Sequence, residues 1–208
     1  CSLGDGSVTE GEVAEAFQFA ALHQLPIIYL VQDNDWGISV SSDEARSMDA
    51  YEYAAGFKGM ERVRVNGSDF NDSYKTMSYT IDWVRRERKP VLIHAKVPLL
   101  GHHTSGVRKE WYRTVEDLEK HYKDDPGPKL RKKLLDSGVK ESLLNDIEKE
   151  EHEFVAREFE SAVAAADPDP STVSDHVFAP VKITEETGNR RPQGKEKVVM
   201  VDAALHAV

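Results

Sequence analysis

The stretch that decides the fold is LGDGSVTEGEVAEAFQFAALHQLPIIYLVQDN, residues 3–34. Its start reads as the end of a strand, and its middle places apolar side chains at helical spacing: Val13, Phe17, Ala20 and Ala21. IIYLV (27–31) is a short continuous apolar run, as in a strand covered on both faces. The order strand, helix, strand predicts parallel strands with helices packed on them.

The start of the first helix carries a second signal. Ser7 and Thr9 are each followed three residues later by a glutamate, Glu10 and Glu12. This spacing is typical of a capping box, so we predict that the helix begins at about Thr9. The free N–H groups and the dipole of such a helix favour a phosphate group.

The alternation of helices and strands continues to residue 97. The predicted elements are a helix over Met48–Gly56, a strand over 61–65, a turn over 66–69, a helix over 74–88 and a strand over 91–97. Together they predict an α/β fold, with a mostly parallel sheet flanked by helices.

The pattern changes in the second half of the chain. GHHTSGVRKEWYR (101–113) has no clear periodicity and is predicted to be a loop. A charged helical region with an apolar stripe follows, and DPDPS (167–171) ends it.

Residue 1 is not methionine, and 198–208 look like the start of a new element. We therefore expect the sequence to be an internal segment of a longer polypeptide.

The composition and charge of the chain exclude several classes of protein. The net charge of −10 disfavours nucleic acid and anionic membranes as partners. Cys1 is the only cysteine, which excludes an intrachain disulfide framework and favours a reducing compartment such as the cytoplasm. No apolar run approaches the ~18 residues that a membrane-spanning helix needs. These features are typical of a globular enzyme or assembly module.

Asp5 lies between two glycines directly after the first predicted strand. Ligands of parallel sheets bind at the carboxyl ends of the strands, and Gly4 and Gly6 let the backbone approach a ligand closely. A carboxylate beside a phosphate is repulsive unless a divalent cation lies between them. Mg²⁺ suits this role, and Asn34, after the next strand, offers a second oxygen ligand.

The pairing of Gly4-Asp5-Gly6 with Asn34 resembles the thiamine diphosphate fingerprint. The whole stretch 3–39, together with RVNGSDF (64–70) and GHHTSGVRKEWYR (101–113), resembles the alpha part of the thiamine-dependent first component of 2-oxo acid dehydrogenase complexes. This resemblance runs from residue 1 to about residue 180. It implies the three-layer thiamine diphosphate-binding fold with a helical C-terminal extension.

The resemblance also implies a division into domains. Residues 1–115 would form the α/β domain that binds diphosphate and Mg²⁺, with its N-terminal part missing, and 116–183 its helical extension. A linker over 184–197 would lead to a second, pyrimidine-binding domain that starts at 198–208. KVVMVDAALHAV (197–208) looks like the beginning of the beta part, which implies a fused alpha–beta chain.

The same resemblance assigns site residues. The implied Mg²⁺ ligands are the side-chain oxygens of Asp5 and Asn34 and the main-chain carbonyl of Trp36. The implied cofactor-binding residues are Gly4, Asp5, Gly6, Ser7, Asn34, Trp36, Ile38 and His103. His103 matches the active-site histidine and His102 precedes it, and both are candidate catalytic residues. Histidine suits this role because its protonation changes near neutral pH.

Three positions depart from the family pattern. Asp33 stands where relatives often have a first asparagine, and Gln32 and the region of Leu99 lack arginines that relatives carry. Asp33 is not the usual direct ligand, so the predicted metal site does not depend on it. We expect the cofactor's diphosphate to be held by fewer cations.

The implied reaction is thiamine diphosphate- and Mg²⁺-dependent oxidative decarboxylation of a 2-oxo acid, with acyl transfer to a lipoyl group. GIS (37–39) and GHHTS (101–105) favour branched-chain acids such as 3-methyl-2-oxobutanoate over pyruvate. The implied partners are the beta part, which carries the glutamate that contacts the aminopyrimidine, and a lipoyl-bearing acyltransferase. The assembly would be a homodimer or an alpha–beta complex.

Two alternatives stay open at this point. Another thiamine enzyme, such as a transketolase, shares the fingerprint but not the histidine loop. A degenerate assembly module would keep the fold and bind no cofactor, and the departures at Gln32, Asp33 and Leu99 lend it some support. Nucleotide-binding motifs of the GxGxxG and GxxxxGK[ST] types are absent from the sequence.

Overall fold

A computed structural model describes residues 1–177 and 199–201. Its main sheet has four parallel strands, β1 (Ser2–Gly4), β2 (Ile28–Asp33), β5 (Glu61–Asn66) and β6 (Val91–Lys96). Their order across the sheet is β1-β2-β6-β5. A small antiparallel hairpin joins β3 (Trp36–Gly37) to β4 (Val40–Ser41). The predicted α/β class with a parallel sheet is confirmed.

Seven α-helices lie within residues 1–177. They are α1 (Gly11–Leu22), α2 (Ser42–Ala45), α3 (Ala50–Tyr53), α4 (Phe70–Glu87), α5 (Val115–Lys123), α6 (Pro126–Asp136) and α7 (Glu141–Ala164). Short 3₁₀ turns cover Gly6–Thr9, Ala54–Gly56, Lys109–Trp111 and Pro170–Ser174. The predicted helix over Met48–Gly56 is therefore α3 followed by a 3₁₀ turn, and the predicted loop over 101–113 contains one such turn.

The predicted capping box at the start of α1 is wrong. The Ser7 hydroxyl donates to the carbonyl of Gly4 (2.8 Å), and the Thr9 hydroxyl donates to the carbonyl of Gly6 (3.3 Å). Because both hydroxyls donate backwards, they stabilise the 3₁₀ turn and do not cap the helix. Regular α-helix begins only at Gly11, with no side-chain hydrogen bond at its N-cap.

Two other elements have boundaries that differ from the predicted ones, and each difference has a local cause. Helix α4 begins at Phe70, four residues earlier than predicted, because the Asp69 carboxylate accepts from the N–H groups of Asn71 (2.8 Å) and Asp72 (3.0 Å). Strand β2 continues past Val31 to Asp33, since its pairing with β6 persists to the register Asp33↔Lys96.

The hydrophobic core divides between the two faces of the sheet, as the alternation of strand side chains requires. One cluster contains Phe17 of α1 with Tyr29, Val31 and Leu92 of the strands. The other contains Val91, Ile93 and Ala95 of β6 with Val65 and Val84. Because strand side chains alternate between faces, Asp33 lies on the same face of the sheet as Tyr29 and Val31, and His94 lies on the same face as Leu92. Two ionisable side chains therefore follow the apolar ones on this face, toward the carboxyl ends of the strands.

One glycine is required by close packing after β5. A Cβ atom at Gly67 would lie 2.9 Å from the carbonyl oxygen of Lys96 and would also clash with the Val97 side chain. The Gly67 N–H donates to that same carbonyl (2.8 Å). The predicted turn over 66–69 therefore packs directly on the end of β6.

The chain divides into two compact units, Cys1–Phe154 and Val155–Val208. The sheet and all the elements that position the site belong to the first unit. In the described residues, no helix combines the length and apolarity needed to cross a membrane. The predicted linker over 184–197 lies outside the described residues, as does most of 198–208, so the predicted domain boundaries stay predictions.

Candidate functional site

The Gly-Asp-Gly turn and the end of β2 meet at one edge of the sheet. Parallel pairing aligns Gly4 with Gln32, so Asp5 emerges beside the residues that follow Gln32. A Cβ atom on Gly6 would lie 3.7 Å from the Cα atom of Gly37, which shows how closely the two turns approach. The structure therefore brings together the two segments that carry the predicted metal ligands.

Asp5 is 3% exposed, and its charge is paired with Arg46. The guanidinium of Arg46 donates to Asp5 Oδ2 (2.8 Å) and to Asp33 Oδ1 (2.9 Å), so one cation bridges two buried carboxylates. Burial and then the negative charge of Asp33 raise the pKa of Asp5, against the lowering effect of Arg46. Burial is the largest of these effects, so the loss of contact with water outweighs the pairing of Asp5 with Arg46.

Asp33 has several further partners. It pairs with His94 Nε2 (2.7 Å), accepts from the Asp35 N–H (3.1 Å) and lies 3.4 Å from Lys96 Nζ. Burial acts to raise the pKa of Asp33, but these hydrogen bonds and the charges of Lys96 and Arg46 outweigh it and hold the pKa well below its ordinary value. Asp33 is therefore a stably ionised carboxylate at the centre of the cluster.

The segment after β2 forms a tight turn that presents oxygen atoms. Asn34 Oδ1 accepts from the Trp36 N–H (3.0 Å). Asp35 and Ile38 adopt positive φ angles of 69° and 57°, and the β3–β4 hairpin holds the turn. Asn34 is half-buried, and its Oδ1 keeps a second lone pair for another partner. Ile38 is exposed, and no contact of its side chain assigns it to the site.

The histidine loop is anchored at its first residues. The Leu99 N–H donates to His121 Nδ1 (2.8 Å), and the Leu99 carbonyl accepts from Arg113 (2.9 Å). His121 is buried, and burial followed by the positive charge of Arg113 lowers its pKa, so it stays neutral and accepts this hydrogen bond. Arg113 is in turn fixed by Asp117 (2.5 Å).

The loop contacts the Asn34 turn through aromatic side chains. The ring centroids of Trp36 and Tyr112 are 5.5 Å apart, and the guanidinium of Arg113 lies 5.5 Å from the Trp36 ring centroid. His102 and His103 are both exposed, and His102 accepts from the Lys109 N–H (3.2 Å). The loop is thus attached to the Asn34 turn through Tyr112 and Arg113.

Arg46, His94 and Lys96 complete the cluster but were missed from the sequence. They line a cavity of about 690 Å³ at the carboxyl edge together with Asp33. The sequence could have identified His94, because a histidine inside the apolar run VLIHAKV needs a buried partner on a neighbouring strand. It could not have identified Arg46, because this residue lies in irregular chain after α2.

The residues predicted as Mg²⁺ ligands offer a carboxylate at Asp5, an amide oxygen at Asn34 and a backbone carbonyl at Trp36. Oxygen donors of these types are the ones that Mg²⁺ prefers, with phosphate and water completing its shell. In the described part of the chain, no group of three or more His, Cys, Asp or Glu side chains is arranged to hold a metal. The carboxylate of Asp5 is paired with Arg46 in this structure (2.8 Å).

The structure defines an α/β protein with a buried cluster of charged side chains at the carboxyl edge of a parallel sheet. Residues 1–171 match the profile of the family described as "Dehydrogenase E1 component", and the chain belongs to that family.

Two curated relatives show how far the similarity extends. The pyruvate dehydrogenase E1 component subunit alpha of Rickettsia conorii is 32% identical over 85% of this chain and 54% of its own length. The 3-methyl-2-oxobutanoate dehydrogenase subunit alpha of Mycobacterium tuberculosis is 31% identical over 96% of this chain and 54% of its own length. The chain therefore spans about half the length of these relatives.

Among solved structures, a transketolase from Leishmania mexicana aligns with 61% of this chain and 20% of its own at a TM-score of 0.42 and 18% identity. That similarity is too low to bear on function.

Proposed function

We propose that this chain provides the diphosphate- and Mg²⁺-binding half of the active site of a thiamine diphosphate-dependent 2-oxo acid dehydrogenase. The observation that carries the proposal is the meeting of buried Asp5 with the Asn34–Trp36 turn at the ends of adjacent parallel strands. Membership in the dehydrogenase E1 family supports it, as do the names of the two curated relatives.

The chain's own residues have distinct tasks in this proposal. Asp5, Asn34 and the Trp36 carbonyl would hold the cation, and the backbone of Gly4, Gly6 and Ser7 would lie against the diphosphate. The coenzyme, when bound, supplies the electron sink for decarboxylation. His103 would hold or move a proton during acyl transfer, because its exposed position on the anchored loop leaves it free to reach substrate.

The substrate that we propose is a branched-chain 2-oxo acid such as 3-methyl-2-oxobutanoate. The sequences GIS (37–39) and GHHTS (101–105) support this choice. The alignment with the 3-methyl-2-oxobutanoate dehydrogenase subunit also extends over more of the chain than the alignment with the pyruvate dehydrogenase subunit, 96% against 85%. The acyl acceptor would be a lipoyl group on an acyltransferase.

The proposed partner is a beta part of the same enzyme, fused or separate. The residues described in this chain supply the metal and diphosphate contacts, and the glutamate that contacts the aminopyrimidine would come from that partner. Activity is therefore expected only from the assembled enzyme.

The first test is calorimetric titration of the assembled enzyme with thiamine diphosphate and Mg²⁺. Asp5→Asn keeps the shape of the side chain and removes its charge, so we expect affinity to fall by at least about 10–100-fold, the range seen even for outer-shell changes. Asp82→Ala, an exposed carboxylate on α4, is the matched control and should bind like the wild type. Equal affinity for Asp5→Asn and the wild type would refute the metal assignment.

The second test compares pyruvate with 3-methyl-2-oxobutanoate as donors for acylation of a lipoyl domain. We expect faster acylation with the branched-chain acid. A preference for pyruvate would overturn the substrate proposal alone. Coenzyme binding without any lipoyl acylation would favour another thiamine enzyme, such as a transketolase, and the absence of coenzyme binding would favour an assembly module.

A further inference from the structure

Arg46 already occupies the carboxylate that a metal ion needs. Its guanidinium donates to Asp5 (2.8 Å) and Asp33 (2.9 Å), and the three side chains are only 8%, 4% and 3% exposed. Two buried carboxylates that contact the same guanidinium depend on it as a counter-charge, because burying unpaired charges is very costly. Arg46 supplies that cation within the protein itself.

The two contacts of Arg46 are not equivalent. Asp33 is also held by His94 (2.7 Å) and Lys96 (3.4 Å), so its charge stays compensated if Arg46 shifts. Asp5 has no comparable set among the ion pairs of residues 1–177, where Arg46 is its cationic partner. The contact between Arg46 and Asp5 is therefore the one that can be exchanged, while Arg46 remains anchored to Asp33.

We infer that Arg46 is a built-in counter-cation that competes with the divalent metal for Asp5 and thereby couples metal binding to diphosphate binding. The inference rests on the proposed function, in which Asp5 is a metal ligand. A metal ion alone would meet the positive charge of Arg46 in a buried, weakly screened site, so it binds poorly. A diphosphate brings the negative charge that balances both cations, and guanidinium groups pair well with phosphate oxygens.

The test measures Mn²⁺, as a spectroscopic substitute for Mg²⁺, by the electron paramagnetic resonance signal of the free ion. The assembled enzyme is titrated with Mn²⁺ in the absence and in the presence of thiamine diphosphate. For the wild type we expect thiamine diphosphate to strengthen Mn²⁺ binding strongly. For Arg46→Gln we expect Mn²⁺ alone to bind roughly tenfold more tightly, within the 5–150-fold range of typical coupling between sites, and the gain from thiamine diphosphate to shrink by a similar factor.

Two further variants control the experiment. Arg64→Gln removes another arginine that lines the same cavity, but Arg64 is 52% exposed and pairs with Asp49, so it should leave Mn²⁺ binding unchanged. Arg46→Lys keeps one positive charge without the two-pronged contact and should fall between the wild type and Arg46→Gln. It provides the same comparison if circular dichroism shows that the glutamine variant does not fold.

The outcomes separate this inference from the proposed function. If the wild type binds no Mn²⁺ even with thiamine diphosphate, the proposed function fails. If it does bind and Asp5→Asn abolishes binding, but Arg46→Gln and Arg46→Lys bind Mn²⁺ alone no more tightly than the wild type, the counter-cation role of Arg46 is refuted and the metal site stands.

Discussion

At the scale of single residues, Asp33 has the largest set of side-chain partners in the site. Its carboxylate faces Arg46, His94 and Lys96, and its side chain is 3% exposed. Asp33→Asn keeps the shape but leaves these groups without their buried anion. We expect the free energy of unfolding to fall by about 3 kcal/mol, as when one partner of a buried ion pair is removed, measured by urea denaturation at pH 7.

Asp35→Asn is the matched control for this prediction. Asp35 pairs with Lys96 in the same cluster, but its side chain is 25% exposed and water can replace the lost partner. We expect a loss below about 1 kcal/mol, as for other solvent-screened ion pairs. If the two variants lost equal stability, the buried network around Asp33 would not have the importance assigned to it.

The sequence predicted some of these residues and not others for a physical reason. Asp5 and Asn34 follow strands, and the carboxyl ends of adjacent parallel strands necessarily meet at one sheet edge. Arg46 reaches the same edge from irregular chain after α2, where no periodicity constrains direction. The burial of Asp33 likewise depends on the β2–β6 pairing, which sets it beside His94 and which sequence spacing alone does not specify.

At the scale of elements, two threonines show that a capping pattern in the sequence does not always form a helix cap. Thr114 lies at the N-cap of α5, and its side chain accepts from the Asp117 N–H (3.2 Å). Thr9 has the sequence pattern of a cap but donates to the Gly6 carbonyl instead. We expect Thr114→Ala to lower the free energy of unfolding by about 1 kcal/mol, measured by thermal or urea denaturation.

Thr9→Ala is the comparison that tests the correction to the sequence prediction. It removes a hydroxyl that stabilises a short 3₁₀ turn and no α-helix cap, so its cost should be clearly smaller than that of Thr114→Ala. If Thr9→Ala lost as much stability as Thr114→Ala, the result would support the capping box predicted from the sequence.

Strands were easier to predict than helix starts. Buried strands such as β2 and β6 appear as continuous apolar runs, and their positions matched the sequence to within two residues. Helix starts depend on which of several nearby polar groups captures the free N–H groups, and those choices are made by local geometry. Capping boxes do form in this chain, at Ser41 with Glu44, where the sequence predicts no helix start, and at Asp49 with Glu52, near the start of the helix predicted over Met48–Gly56.

At the scale of the whole molecule, an acidic chain with a net charge of −10 places cations among carboxylates at the carboxyl edge of its sheet. Arg46 and Lys96 line the cavity there together with Asp33, Asp35 and Asp49. A mixed lining of this kind is suited to a ligand that brings both charges, such as a diphosphate that arrives with a metal ion. Ligand binding should therefore be visible in the stability of the assembled enzyme.

We expect thiamine diphosphate and Mg²⁺ together to raise the unfolding temperature of the assembled enzyme, because a ligand that binds only the folded state stabilises it by mass action. At a ligand concentration of 100 times Kd the stabilisation is about 2.7 kcal/mol, which for a unit of this size corresponds to a shift of roughly 5–10 °C in differential scanning fluorimetry. Removing the metal with EDTA should abolish most of the shift, and Asp5→Asn should show little of it, whereas Asp82→Ala should behave as the wild type. A shift that persisted in EDTA, or that Asp5→Asn retained in full, would mean that the coenzyme is held without a metal at Asp5, and the electrostatic argument for this site would fail.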